Sequence, residues 1–124
     1  MAAILHDRVF DNGLTVLDTE ADKLYITSSQ ATTYTEAITT YALGVKNTPT
    51  VSAPADRTGG GREVTVSAIT DGSVTGTGTA GFYALVDSSN SRMLASNALS
   101  ATQSVTSGNT FTLTSFKIGI PDPA

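Results

Sequence analysis

Six residues in the middle of the chain, 76–81, have the spacing G-x-G-x-x-G that is typical of dinucleotide-binding turns. In such turns the glycines let a strand bend sharply into a helix whose N-terminus meets a pyrophosphate. Here the next residues, 82–86, have the pattern of a strand, and no acidic residue stands about 20 positions downstream to bind a ribose. The motif therefore predicts a glycine-rich loop or strand edge that another backbone can approach closely.

A second glycine-rich segment is Gly59-Gly60-Gly61, which is followed by Arg62. A phosphate-binding Walker loop would continue with a Lys-Ser/Thr pair and a helix, whereas this segment leads into a strand. We expect a flexible loop here and no nucleotide site.

Two polar clusters have residue types that can hold a cation or a sugar. Asp18, Glu20 and Asp22 share one side of an extended chain and could bind calcium through hard oxygens, but solvated charges in a turn explain them more simply. The polar tip at residues 87–91 could hold a cation or a sugar hydroxyl, whereas Asx-turn hydrogen bonds explain the same residue types without a ligand. We predict no bound metal.

His6 is the only imidazole in the chain. A His-metal cluster cannot be assembled around a second His, and no Ser-His-Asp arrangement stands out, so a surface or interface position is expected for it. No pair of carboxylates stands out for acid–base chemistry either. The sequence therefore predicts no catalytic residues, no cofactor and no enzyme.

Composition restricts the partners of the chain. The net charge is −4 and the seven Lys and Arg are scattered, so the clustered cations of a nucleic-acid surface are missing. No segment approaches the 18 apolar residues of a membrane span, and the N-terminus lacks the pattern of a secretory signal. We expect a protein that binds neither nucleic acid nor membrane and stays in the cytoplasm until it is built into a larger assembly.

Ser and Thr supply more than a quarter of the chain, together with 11 Gly, which favours strands and turns over helices. Residues 1–13 are predicted to form an N-terminal arm that ends in a turn at residues 11–13, and residues 14–124 a single β domain. Alternating apolar residues predict strands around Leu14 and Val16 and around Leu24 and Ile26.

One helix is predicted at residues 33–43, where Thr33 and Glu36 have the spacing of a capping box and Gly44 can end the helix. Residues 47–61 are predicted to be a mobile loop, since they combine prolines, charge and consecutive glycines.

The second half predicts a strand at residues 64–68, a turn at Asp71-Gly72 and a central strand at residues 81–86 that is apolar on both faces. The polar tip at 87–91 then leads into a returning strand at residues 92–98. In the last strand the apolar residues change parity between Leu113 and Phe116, so we predict a β-bulge or kink near residues 114–115, before prolines end the strand. Together these elements predict an all-β fold, an antiparallel β-sandwich or small barrel with one short helix.

Two stretches resemble small structural proteins from the virion gene clusters of tailed phages and prophages, particularly those of α-proteobacteria. The first is DRVFDNGLTVLDTEA at residues 7–21, leading to LYI at 24–26. The second comprises YALVD at 83–87, RMLA at 92–95 and VTSGNTFTL at 105–113. The resemblance covers about half the chain and implies a virion component associated with a shell, neck or tail.

The hypothesis that follows is a decoration or cement protein that reinforces the phage head, forms a trimer or dimer with itself, and binds the major capsid protein or other virion proteins. A neck, collar or tail-associated protein is the structural alternative. A glycan-binding β-sandwich for host attachment, acting through the tip at 87–91, is the alternative from another class. The expected interface consists of residues in the arm and in the glycine-rich loop: Ile4, Leu5, His6, Arg8, Phe10, Arg57 and Arg62.

Overall fold

The computed structural model describes residues 4–5, 13–58 and 60–120. The predicted turn at 11–13 and the terminal prolines therefore lie wholly or partly outside the described residues. The elements in chain order are β1 (Ile4–Leu5), α1 (Thr15–Glu20), β2 (Lys23–Thr27), a π-helix (Glu36–Thr40), β3 (Ala42–Asn47), β4 (Ala55–Asp56), β5 (Arg62–Val66), β6 (Ile69–Val74), β7 (Gly78–Asp87), a 3-10 turn (Ser88–Asn90), β8 (Arg92–Val105), β9 (Thr110–Leu113) and β10 (Phe116–Ile120).

The strands form two antiparallel sheets, so the predicted all-β class is confirmed. The larger sheet has the order β1-β8-β7-β2-β3-β6-β9 and curls into a half-barrel, while the smaller has the order β10-β5-β4. The chain passes from one sheet to the other between Leu113 and Phe116, where β9 ends in the larger sheet and β10 begins in the smaller. The predicted kink at residues 114–115 is this crossing, and it explains the change of parity.

Strand β7 is covered on both faces, as its apolar sequence predicts. Tyr83 and Leu85 belong to the main core, whereas Ala84 and Val86 face a second, smaller cluster that also contains Ala37 of the π-helix. Alternate side chains of a strand point to opposite faces, so one face of β7 packs on the main core and the other packs against the cluster that contains Ala37. β2 and β8 flank β7, which is therefore an interior strand of the larger sheet.

The predicted strand around Leu14 and Val16 is wrong, because residues Thr15–Glu20 form a short α-helix. Leu14 and Leu17 are spaced i, i+3 and both are buried, as is Val16. Apolar residues at that spacing lie on one face of a helix, so a single turn buries them against β7 more completely than a strand with one buried face.

The short helix predicted within residues 33–43 is present as the five-residue π-helix Glu36–Thr40. Its capping hydrogen bond is present, since the Glu36 N–H donates to Thr33 Oγ1 at 3.2 Å. The Glu36 carboxylate instead accepts from the N–H and hydroxyl of Thr32, each at 2.8 Å, and these bonds lower the pKa of Glu36. β3 already begins at Ala42, so Gly44 lies inside a strand and does not end the helix.

Phe111 explains why Gly44 lies in a strand and why the turn predicted at Asp71-Gly72 is wrong. Its ring, 2% exposed, lies against the backbone of Gly72 on β6 and of Gly44 on β3. A Cβ at Gly44 would come within 3.1 Å of the ring, and a Cβ at Gly72 would overlap it. Each glycine therefore serves the close approach of an aromatic ring to a sheet.

Candidate functional site

The acidic residues proposed as a calcium site do not come together. Glu20 lies 3.7 Å from the guanidinium of Arg92, and Asp22 accepts hydrogen bonds from Ser88, 2.9 Å from its N–H and a short one from its hydroxyl. Burial alone would raise the pKa of Asp22, but the bonds from Ser88 outweigh it and lower that pKa. Among the described residues no three His, Cys, Asp or Glu side chains converge.

The tip at residues 87–91 also bonds to itself. Asp87 is buried, and its Oδ2 accepts a hydrogen bond of 2.8 Å from Asn90 Nδ2. Ser91 takes a left-handed conformation, φ 53°, that closes the 3-10 turn. These contacts are Asx-type bonds of the kind that the sequence suggests, and they engage one oxygen of the Asp87 carboxylate.

The glycine motif at residues 76–81 lies on a strand and its approach, as expected. The N–H groups of Thr75 and Gly76 both donate to the carbonyl of Leu43, at 2.8 and 3.0 Å. The predicted close approach of another backbone is therefore confirmed, and the partner is β3.

The loop predicted at 47–61 is more ordered than expected. Val51 is buried and bridges to Val66, and residues 55–63 form what we call the edge hairpin, in which β4 pairs with β5. Arg57 donates to the Gly60 carbonyl at 2.9 Å and closes the tip of the hairpin. Backbone pairing to β5, which glycine and proline content alone does not reveal, holds this segment.

Arg62 fixes the base of the edge hairpin. Its guanidinium lies 2.6 Å from Asp56 Oδ1 and 3.2 Å from the Pro54 carbonyl. The side chains of Arg62 and Asp56 are 56% and 95% exposed. The hairpin therefore presents an ordered, charged surface at one edge of the smaller sheet.

The arm residues proposed as an interface are only partly within the described chain. Ile4 and Leu5 form β1, which pairs with Ser96 and Ala95 of β8 in the same molecule. His6, Arg8 and Phe10 lie outside the described residues. β1 therefore already covers the outer edge of β8 at this point.

A groove of about 450 Å³ lies where the two ends of the curled sheet approach each other, and we call it the seam groove. One wall is residues 97–101 and 103 of β8, and the other is residues 112–117. Gln103 Nε2 donates to the Thr112 carbonyl at 2.6 Å and links the two walls. Residues 99–102 bulge out of the pairing with β7, since Ala80 pairs with Gln103 and Phe82 with Ala98.

Tyr83 forms the floor of the seam groove. The residue is 6% exposed and its ring lies 4.4 Å, centroid to centroid, from that of Phe116 on the opposite wall. Burial raises the pKa of Tyr83 to about 12, so the phenol keeps its proton at neutral pH. No hydrogen bond within the described chain engages the Tyr83 hydroxyl. Among the described residues every fully enclosed polar side-chain atom has a hydrogen-bond partner, so a hydroxyl without one is not fully enclosed. Because Tyr83 lines the groove, we infer that its hydroxyl is accessible from there.

No family model, curated protein or solved structure matches this chain. The edge hairpin and the seam groove are therefore interpreted from their own chemistry. No helix in the part of the chain described by the structure is long and apolar enough to cross a membrane.

The sequence patterns did not reveal the seam groove. Its walls are nine residues apart in the sequence at their nearest ends, and the curl of the sheet brings them together with Tyr83. The available signal was local: a tyrosine in a largely apolar strand, opposite a returning strand rich in Asn, Ser, Thr and Gln.

Proposed function

We propose that this chain is a non-enzymatic structural protein of a tailed-phage particle, most simply a decoration protein that reinforces the head by binding the major capsid protein. The edge hairpin is the observation on which this proposal depends. It places two exposed charges next to a sheet edge: Asp56 lies on the edge strand β4, whose outer side is unpaired within the described chain, and Arg62 lies on the neighbouring strand β5. The sequence resemblance to virion proteins supports the same class.

The order within the edge hairpin favours binding to another protein. Arg57 and Arg62 already hold the hairpin through three hydrogen bonds to Gly60, Asp56 and Pro54. A pre-ordered segment loses less conformational entropy on association than a mobile loop, so more of its contact energy appears as affinity. An edge strand can also extend its pairing into a neighbouring subunit.

The N-terminal segment offers a second contact. β1 shows that the outer edge of β8 accepts a strand, and in a lattice the same segment can be laid on a neighbouring copy or on the shell. Many copies on one particle gain avidity, so each contact can be small. We propose a dimer or trimer on this basis.

Binding to purified heads that lack the chain tests the proposal. Removing residues 2–10 should abolish co-sedimentation while leaving the circular-dichroism spectrum unchanged, because α1 and the main core lie beyond the deletion. Arg62→Ala should weaken head binding and change stability by less than about 1 kcal/mol, since its ion pair is exposed. Lys46→Ala is the matched control, because Lys46 pairs with Asp71 at 2.9 Å on the other sheet. Retained binding by both the truncated chain and Arg62→Ala would contradict the proposal.

A neck, collar or tail-associated role is the alternative within the same class. Copy number per particle, from quantitative mass spectrometry of purified virions, separates the two. Hundreds of copies indicate decoration, whereas about 6 or 12 indicate a ring. Absence of the chain from the particle would exclude both.

A further inference from the structure

We propose that the seam groove is a binding site for a neutral oligosaccharide, with the Tyr83 hydroxyl at its floor. This site differs from the tip at residues 87–91 and from the edge hairpin. Its volume of about 450 Å³ lies within the range of small-ligand sites.

The polar groups of the seam groove suit sugar hydroxyls. Asn97 Oδ1 accepts a hydrogen bond of 2.8 Å from the Ala98 N–H, which leaves Asn97 Nδ2 as a donor for a ligand. Gln103 Nε2 donates to the Thr112 carbonyl, which leaves Gln103 Oε1 as an acceptor for a ligand. Tyr83 adds a hydroxyl that is held at a fixed depth by the packing of its ring on Phe116. Donors and acceptors of this kind match sugar hydroxyls, which both donate and accept.

The lining also indicates that the ligand is uncharged. Lys117 is the one charged residue among those that line the groove, and its ammonium lies 3.1 Å from the carboxylate of Glu63. The remaining lining residues are apolar, hydroxyl or amide side chains. Phe116 is partly exposed and offers an apolar surface on which the C–H face of a sugar ring can pack.

An extended peptide fits this groove less well than a sugar. Strand addition needs a regular edge with unpaired backbone groups, but residues 99–102 of β8 bulge at the groove. Bulges are a common means of protecting a sheet edge from further pairing. On the opposite wall the Thr112 carbonyl is already engaged by Gln103.

The test is a glycan array probed with the labelled full chain, followed by titration calorimetry with the neutral oligosaccharide that binds best. Tyr83→Phe removes only the hydroxyl and should weaken binding about tenfold, the value of one lost hydrogen bond. Ala101→Trp places a large side chain at an exposed position of the wall and should abolish binding. Tyr34→Phe is the matched control, because Tyr34 packs with the second cluster on the other face of the sheet.

Amide chemical-shift changes in the unmodified chain give an independent measurement, and we expect them at residues 97–103 and 112–117. The proposal is refuted if no neutral glycan binds, if only acidic glycans bind, or if the shifts fall elsewhere. Binding of an uncharged Thr-Val repeat peptide in place of any sugar also refutes it. Ala101→Trp should still bind heads, so failure of this proposal and failure of the proposed virion role are distinguishable.

Discussion

Replacing Gly72 with alanine would drive a methyl group into the ring of Phe111, with which it is paired across β6 and β9. The ring cannot turn away freely, because its other side lies close to the backbone of Gly44 and the residue is 2% exposed. Overpacking of a filled core costs about 1–3 kcal/mol, and this site allows little relaxation. For a chain of this length about 1 kcal/mol corresponds to about 4 °C, so we expect the melting temperature to fall by about 4–12 °C.

Thermal and urea unfolding followed by circular dichroism measure this effect. Gly81→Ala is the control, since a Cβ there would meet Thr102 Cγ2 at an ordinary 3.6 Å and should change stability by less than about 0.5 kcal/mol. In a Phe111→Leu background the smaller side chain leaves room, so the cost of Gly72→Ala should shrink to less than about 1 kcal/mol. Equal effects of Gly72→Ala and Gly81→Ala would refute the role assigned to the ring.

Three further changes should alter stability in ways that unfolding curves can measure. Asp22→Asn should lower the free energy of unfolding by about 1 kcal/mol at neutral pH. Because folding lowers the pKa of Asp22, the advantage of the native carboxylate holds above about pH 4 and is lost as the pH falls through the folded value, so the urea midpoints of the two proteins should converge in acid. Ser96→Ala should lower the free energy of unfolding by about 1–3 kcal/mol, because the buried Ser96 hydroxyl donates to the Ala31 carbonyl at 2.9 Å and that carbonyl would lose this partner. A change below about 0.5 kcal/mol would contradict this role. Leu85→Ala should lower the free energy of unfolding by about 2–5 kcal/mol through a cavity on the core face of β7, and an unchanged thermal midpoint would show that the site collapses around the smaller side chain.

The strands that could be predicted from sequence are those whose pattern is complete within a few residues. β7 was recognisable because an apolar run on both faces needs cover on both sides, and the structure supplies it through Leu85 and Val86. The crossing between β9 and β10 was recognisable because the change of parity between Leu113 and Phe116 is itself a local signal.

The errors occurred where a distant residue decides the local conformation. Asp71-Gly72 has the composition of a turn, but Phe111, almost 40 residues later in the chain, requires the glycine inside a strand. α1 was missed because Leu14 and Val16 also fit a period of two, and only the burial of Leu17 against β7 favours the helix. The seam groove depends on the curl of the whole sheet, which no short window of sequence encodes.

The order of strands in the larger sheet has a consequence for how the molecule folds. β2 lies between β3 and β7, so one of its two ladders joins residues that are about 60 positions apart. The chain must lose the entropy of closing such a long loop before the contacts of the ladder form. We therefore expect folding in the range of milliseconds to seconds. During synthesis the first half of the chain cannot complete its sheet until β7 has left the ribosome, so one backbone edge of β2 stays unpaired for several seconds at about 5–20 residues per second.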